Sequence, residues 1–90
     1  MPARTALALV LLALTPAAAL ASPNCTAEPQ SAWLSQDAMK AKVDELGYKI
    51  KTFQVTGTCY EIYGWTKDDK RAEVYFNPVT GDVVEAEIDG

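Results

Sequence analysis

Histidine is absent from this 90-residue chain, and with it the commonest general base of enzyme chemistry. The three serines, Ser22, Ser31 and Ser35, sit in no nucleophile motif. Paired carboxylates such as Asp68-Asp69 and Glu85/Glu87 fall where solvated charges are usual, so the chain is read as not an enzyme. Positive charge is also short, with 8 Lys and Arg against 12 Asp and Glu and a formal charge of −4. No basic cluster is present, which argues against nucleic acid and against anionic membrane surfaces as partners. Cysteine occurs only at positions 25 and 59. Two distant thiols without histidine make a poor metal or redox pair. No cofactor motif, internal repeat or low-complexity tract occurs.

Long apolar runs are missing as well, apart from one. Ala6 to Leu14 follows the positive Arg4 and is broken by Thr15 and Pro16; Ala19-Leu20-Ala21 then offers a small-x-small cleavage pattern. The order is that of a secretory signal peptide over residues 1–21, and the run is shorter than the roughly 20 residues a spanning helix needs. An uncleaved anchor is the competing account. Cleavage would remove 21 of the 90 residues, leave 69, and move the charge from −4 to −5 by loss of Arg4. The expected location is periplasmic or secreted, with no membrane contact after cleavage. An oxidising compartment turns an even cysteine count into an expected Cys25–Cys59 disulfide. A domain this small buries a modest share of its surface, so such a staple matters.

Two segments follow. Residues 22–34 are rich in proline and polar side chains and read as an extended arm tied by the disulfide. The domain proper is expected over 35–90. Its one helix, within Trp33 to Leu46, is capped by Ser35, carries Asp37 at its positive end, and stops at Gly47. Met39, Val43 and Leu46 recur at helical spacing on one face, and Trp33 is placed to staple the first turn. Four strand-like runs come next: Tyr48–Val55, Cys59–Trp65, Arg71–Phe76 and Asp82–Ile88. A phase slip between Ile50 and Phe53 predicts a bulge near Thr52. Short polar connections make successive runs antiparallel. The expected fold is α+β, with one N-terminal helix packed on one face of a four-stranded antiparallel β-meander.

Alternation divides the strands into two faces. Tyr60, Ile62, Ala72, Val74, Phe76, Val84, Ala86 and Ile88 are expected to meet the helix. Glu61, Tyr63, Trp65, Glu73, Tyr75, Val83, Glu85 and Glu87 form the opposite, open face. There Tyr63, Trp65 and Tyr75 are the candidate partner-binding residues, since exposed Trp and Tyr are typical interface anchors. Cross-strand pairing that only stabilises the sheet is the competing account. An exposed sheet edge offers a second binding mode, by strand addition. Asp68 and Asp69 lack the ligand spacing of a dedicated calcium loop. Asn77-Pro78-Val79-Thr80-Gly81 has the chemistry of a tight turn.

The stretch LGYKIKTFQVTGTCYEIYGWTKDDKRAEVYFNPVTGDVVEAEI resembles the PepSY domain family in its small, exported, single-domain form. The hallmark lies in Glu73 to Val84, EVYFNPVTGDVV: an aromatic strand end, an Asn-Pro-x-Thr-Gly loop, an acidic residue and a valine pair. The resemblance marks Asn77, Pro78, Thr80 and Gly81 as the family-motif loop. PepSY domains accompany secreted peptidases in their propeptides, so it implies a non-catalytic binding module, a peptidase inhibitor or regulator acting in trans on an exported protein or peptidase. No catalytic or metal residue carries over. The alternative is a small-ligand-binding or envelope stress protein with no peptidase partner.

Overall fold

A computed structural model describes residues 22–89 of the chain; the expected signal peptide lies outside the described residues. A single 3-10 turn, Gln30–Ala32, precedes helix α1, Gln36–Glu45. Four strands follow: β1 Lys49–Thr56, β2 Cys59–Trp65, β3 Arg71–Phe76 and β4 Val83–Ile88. They form one antiparallel sheet in the order β1-β2-β3-β4, the meander expected, with β1 and β4 as its edges.

Local chemistry sets the helix bounds. The Ser35 side chain accepts from the Ala38 N–H at 3.1 Å, which satisfies one donor that the helix cannot use itself. At the other end Gly47 takes φ +94°. Its N–H donates to the Asp44 carbonyl and the Tyr48 N–H to the Val43 carbonyl, a Schellman stop of the kind glycine permits. The bulge also falls where the phase slips, with the β1–β2 register shifting between Ile50 and Thr52.

The core differs from expectation at two places. Met39 and Val43 are fully buried against Tyr60, Ile62, Ala72, Val74 and Phe76, but Leu46 is 52% exposed. It is the C-cap residue, where the chain is already turning away. Val84, Ala86 and Ile88 are exposed too, as is every residue of β4. An α-helix is about 10 Å across and strands lie about 4.8 Å apart, so one helix roofs only part of a four-stranded sheet. A second register shift, beside Phe76, pairs Phe76 with Val83 and Tyr75 with Glu85. Val83, assigned to the open face, therefore opposes the helix-facing Phe76. Instead of β4, the core is completed by Trp33, Leu34, Tyr48, Ile50 and Phe53, all half-buried. Trp33 meets Tyr60 edge to face, with ring centroids 5.2 Å apart, a favourable aromatic geometry.

The arm passes from one sheet face to the other. Cys25 is bonded to Cys59, and with it and Tyr75 forms a small cluster on the open side. The Cys25 N–H donates to Thr58 Oγ1 at 2.9 Å. Further along, the Leu34 N–H donates to the Pro78 carbonyl at 2.8 Å and the Leu34 carbonyl accepts from the Tyr60 hydroxyl at 2.7 Å. The arm thus rounds the end of the sheet that carries the β1–β2 and β3–β4 turns.

Candidate functional site

Strand register places the open-face side chains in rows. Gln54, Glu61, Tyr75 and Glu85 make one row; Thr52, Tyr63, Glu73 and Glu87 the next; Trp65 and Arg71 a third. The arm packs on the first row at Tyr75, while Gln54 and Glu85 at the row's ends stay exposed. Tyr75 is buried with the disulfide, and Glu61, expected to face water, is only 1% exposed. The remaining rows stay open. They form a groove of about 640 Å³ walled by Lys51, Thr52, Tyr63, Trp65, Arg71, Glu73, Glu87 and Asp89, with Gly64 and Ala72 at its floor. Tyr63 is 43% exposed there, and Trp65 is half-buried.

Of the three aromatics singled out from sequence, Tyr63 and Trp65 line this groove. Tyr75 lies behind it, its hydroxyl donating to Glu73 Oε2 at 3.0 Å. The family-motif loop sits at the opposite end of the sheet. Asn77 Oδ1 accepts from the Val79 N–H at 2.9 Å and the Thr80 N–H at 3.3 Å, and the Gly81 N–H returns to the Asn77 carbonyl at 2.7 Å. Pro78 is buried and its carbonyl receives the arm. Gly81 has φ +83°, and a Cβ there would meet Lys42 Cδ at 2.3 Å. Three of the four motif residues are thus committed to the turn and its packing, while Thr80 is exposed and caps Asp82 through its hydroxyl.

A carboxyl cluster at the border between the covered and open rows carries the electrostatics. Glu61 Oε1 accepts from the Thr56 hydroxyl at 2.6 Å and the Gln54 amide at 2.9 Å, whereas the buried Glu61 Oε2 receives no donor. Beside it stands the Glu73 carboxyl, which can serve Oε2 only by carrying a proton. The hydrogen bond with Glu61, then burial, raises Glu73 above the usual carboxylate range. Burial alone would raise Glu61 as well, but hydrogen bonds from Glu73, Thr56 and Gln54 outweigh it and hold Glu61 low. The two carboxyls shift each other in opposite senses, so Glu61 gives up its proton before Glu73. Hydrogen bonding to Glu73, with the charge of Glu61, pushes the Tyr63 phenol up to about 12. Tyr75 is raised too, by burial first and then by Glu73.

Among the described residues no three His, Cys, Asp or Glu side chains converge as a metal site would require. The Lys49–Asp69 contact at 2.6 Å joins two exposed side chains, one at the start of β1 and one in the β2–β3 loop, and contributes little in water. A family model described as peptidase propeptide and YPEB domain matches residues 4–87 of the chain. No curated protein and no solved structure matches it.

Proposed function

The chain belongs to the PepSY family of peptidase propeptide and YPEB domains, and on that premise we propose that it is a non-catalytic recognition module acting in trans on an exported protein, a peptidase being the partner class the family suggests. The observation that carries this reading is the open-face groove: Tyr63 and Trp65 stand on a sheet backed by a disulfide, with acidic side chains beside them. Aromatic anchors on rigid elements lose little entropy when a partner docks, and Trp and Tyr dominate interface energetics. A partner held there would be inhibited or regulated rather than chemically altered. The Cys25–Cys59 bond fits an oxidising compartment, periplasmic or extracellular.

The alternative, a small envelope ligand with no peptidase involved, draws on the groove volume of about 640 Å³, which lies within the roughly 300–1,000 Å³ of ligand pockets. The charged walls and open mouth favour a protein surface instead. A photo-crosslinking residue at Thr52, on the groove wall, tests the reading in the native envelope. One discrete protein adduct is expected, lost in a Tyr63→Ala/Trp65→Ala variant that melts like its parent. Absence of an adduct, or one indifferent to both rings, would sink the proposal.

A further inference from the structure

We propose that the groove holds a receptor for a single organic cation, a lysine ammonium or an arginine guanidinium from the partner, which bridges the carboxyls of Glu73 and Glu61 next to Tyr63. This rests on the recognition reading above and names the chemistry that would be recognised.

The first observation is an unmet acceptor. Glu61 is 1% exposed, yet its Oε2 has no hydrogen-bond donor. A buried carboxylate oxygen left bare costs free energy, and two adjacent carboxyls repel unless a proton or a cation lies between them. The second observation is access. Glu73 is half-buried and lines the groove, so a group entering from solvent reaches the pair at Glu73. The protein's own cations do not fill the place. Lys51 and Arg71 stand on the groove walls, but the ion pair found among the described residues is Lys49–Asp69.

Donor number favours an organic cation over a metal. Guanidinium offers five N–H donors and ammonium three, enough to bridge two carboxyls. Calcium takes six to eight oxygens, and among the described residues no third acidic side chain converges with the pair as a metal site would require. Tyr63 supplies an aromatic wall, a surface that cations favour.

A proton and a cation compete for this place, because either one relieves the repulsion between the carboxyls. Where Glu73 carries a proton, the arriving cation displaces it to solvent, and both carboxyls are then ionised and paired. Other groups facing the pair are the neutral phenols of Tyr63 and Tyr75, Glu85 opposite Tyr75, and Glu87 opposite Glu73. Lys51 and Arg71 face it from the groove walls. The covering arm, Ser22 to Ala27, adds no titrating side chain, because Cys25 is in the disulfide. Affinity for the cation therefore rises with pH through the titration of Glu73.

The test follows the side-chain carboxyl carbons of Glu73 and Glu61 by NMR across pH, with acetyl-arginine amide, the uncharged acetyl-norleucine amide, or calcium chloride at matched ionic strength. The arginine probe is expected to move the Glu73 midpoint down, by about one pH unit at ten times its dissociation constant, while norleucine leaves it in place. Glu73→Gln, which supplies a permanent amide donor to Glu61, is expected to fold and to lose the probe's shifts at Tyr63. An unmoved Glu73 midpoint, an equal response to norleucine, or a larger response to calcium overturns the proposal. Because the probe needs no partner, failure here with an intact Thr52 adduct removes the cation receptor and leaves the recognition reading standing.

Discussion

Replacing both cysteines, Cys25→Ala with Cys59→Ala, is expected to remove about 4 kcal/mol of stability. The bond spans a sequence separation of 34. For a loop of about 35 residues the chain-entropy relation gives roughly 13 cal/mol/K, or about 3.8 kcal/mol at 25 °C. Native domains hold only about 5–15 kcal/mol in all, so the loss takes roughly a quarter to four fifths of the margin. Folded-state contacts add to it. Cys59 is fully buried, and Cys25 covers Tyr75 on the open face. The arm keeps its second anchorage, between Leu34, Pro78 and Tyr60, so its release is confined to the segment before Leu34. Thermal unfolding followed by circular dichroism is the assay, and a domain of 60–100 residues shifts by about 4–8 °C per kcal/mol. A fall of roughly 15–30 °C is therefore expected, reproduced in the parent by a reductant. Coincident melting of parent and double variant would refute the reasoning, because it would mean that the unfolded chain gains no freedom when the loop opens.

The carboxyl pair makes stability depend on pH in two senses. Glu61 is lowered from its ordinary value of 4.5, so its contribution is present above that pH and lost as pH falls through its folded value. Glu73 is raised, so its contribution is complete below 4.5 and lost as pH rises through its folded value. The pair's contribution thus peaks near pH 4.5; Glu73→Gln should flatten the fall above it and raise the urea midpoint at pH 7, and an identical pH profile in parent and variant would contradict the raised titration of Glu73. Gly64→Ala should cost at least the roughly 1–3 kcal/mol of an overpacked core, because a Cβ there would lie 1.9 Å from the Lys49 carbonyl oxygen; an unchanged melting temperature would refute the close approach. Ser35→Ala should cost about 1 kcal/mol through the lost cap, read as a lower urea midpoint with unchanged slope.

What the sequence makes legible here is what neighbours in the chain decide. Ser35 and Gly47 mark the helix ends because capping needs only the adjacent backbone, and the slip between Ile50 and Phe53 marks the bulge because alternation is local. The Cys25–Cys59 link was legible from the even cysteine count together with the expectation of export. What stays hidden depends on how wide one element is against another. Alternation cannot reveal that α1 leaves β4 uncovered, so Val84, Ala86 and Ile88 read as core. Glu61 reads as solvated because strand parity gives its face, not the side chains of Gln54 and Thr56 that close on its carboxyl. Gln54 and Thr56 share that parity, and three polar side chains meeting across two strands were the available signal for a buried network. Tyr63 and Trp65 were legible as a pair on one face. That Tyr75 serves as a wall behind them was not, since Cys25 comes to rest on it from fifty residues upstream.

The uncovered outer strand has a consequence for the behaviour of the protein in bulk. β4 offers a row of unpaired backbone groups above a partly apolar underside, and a twin molecule could extend the ribbon there. Glu85 and Glu87 would then stand within about one inter-strand spacing of their counterparts, a repulsion that at neutral pH keeps neighbouring molecules from stitching together. Replacing both by glutamine removes that repulsion, so concentrated solutions of the Glu85→Gln/Glu87→Gln variant should turn cloudy where the parent stays clear.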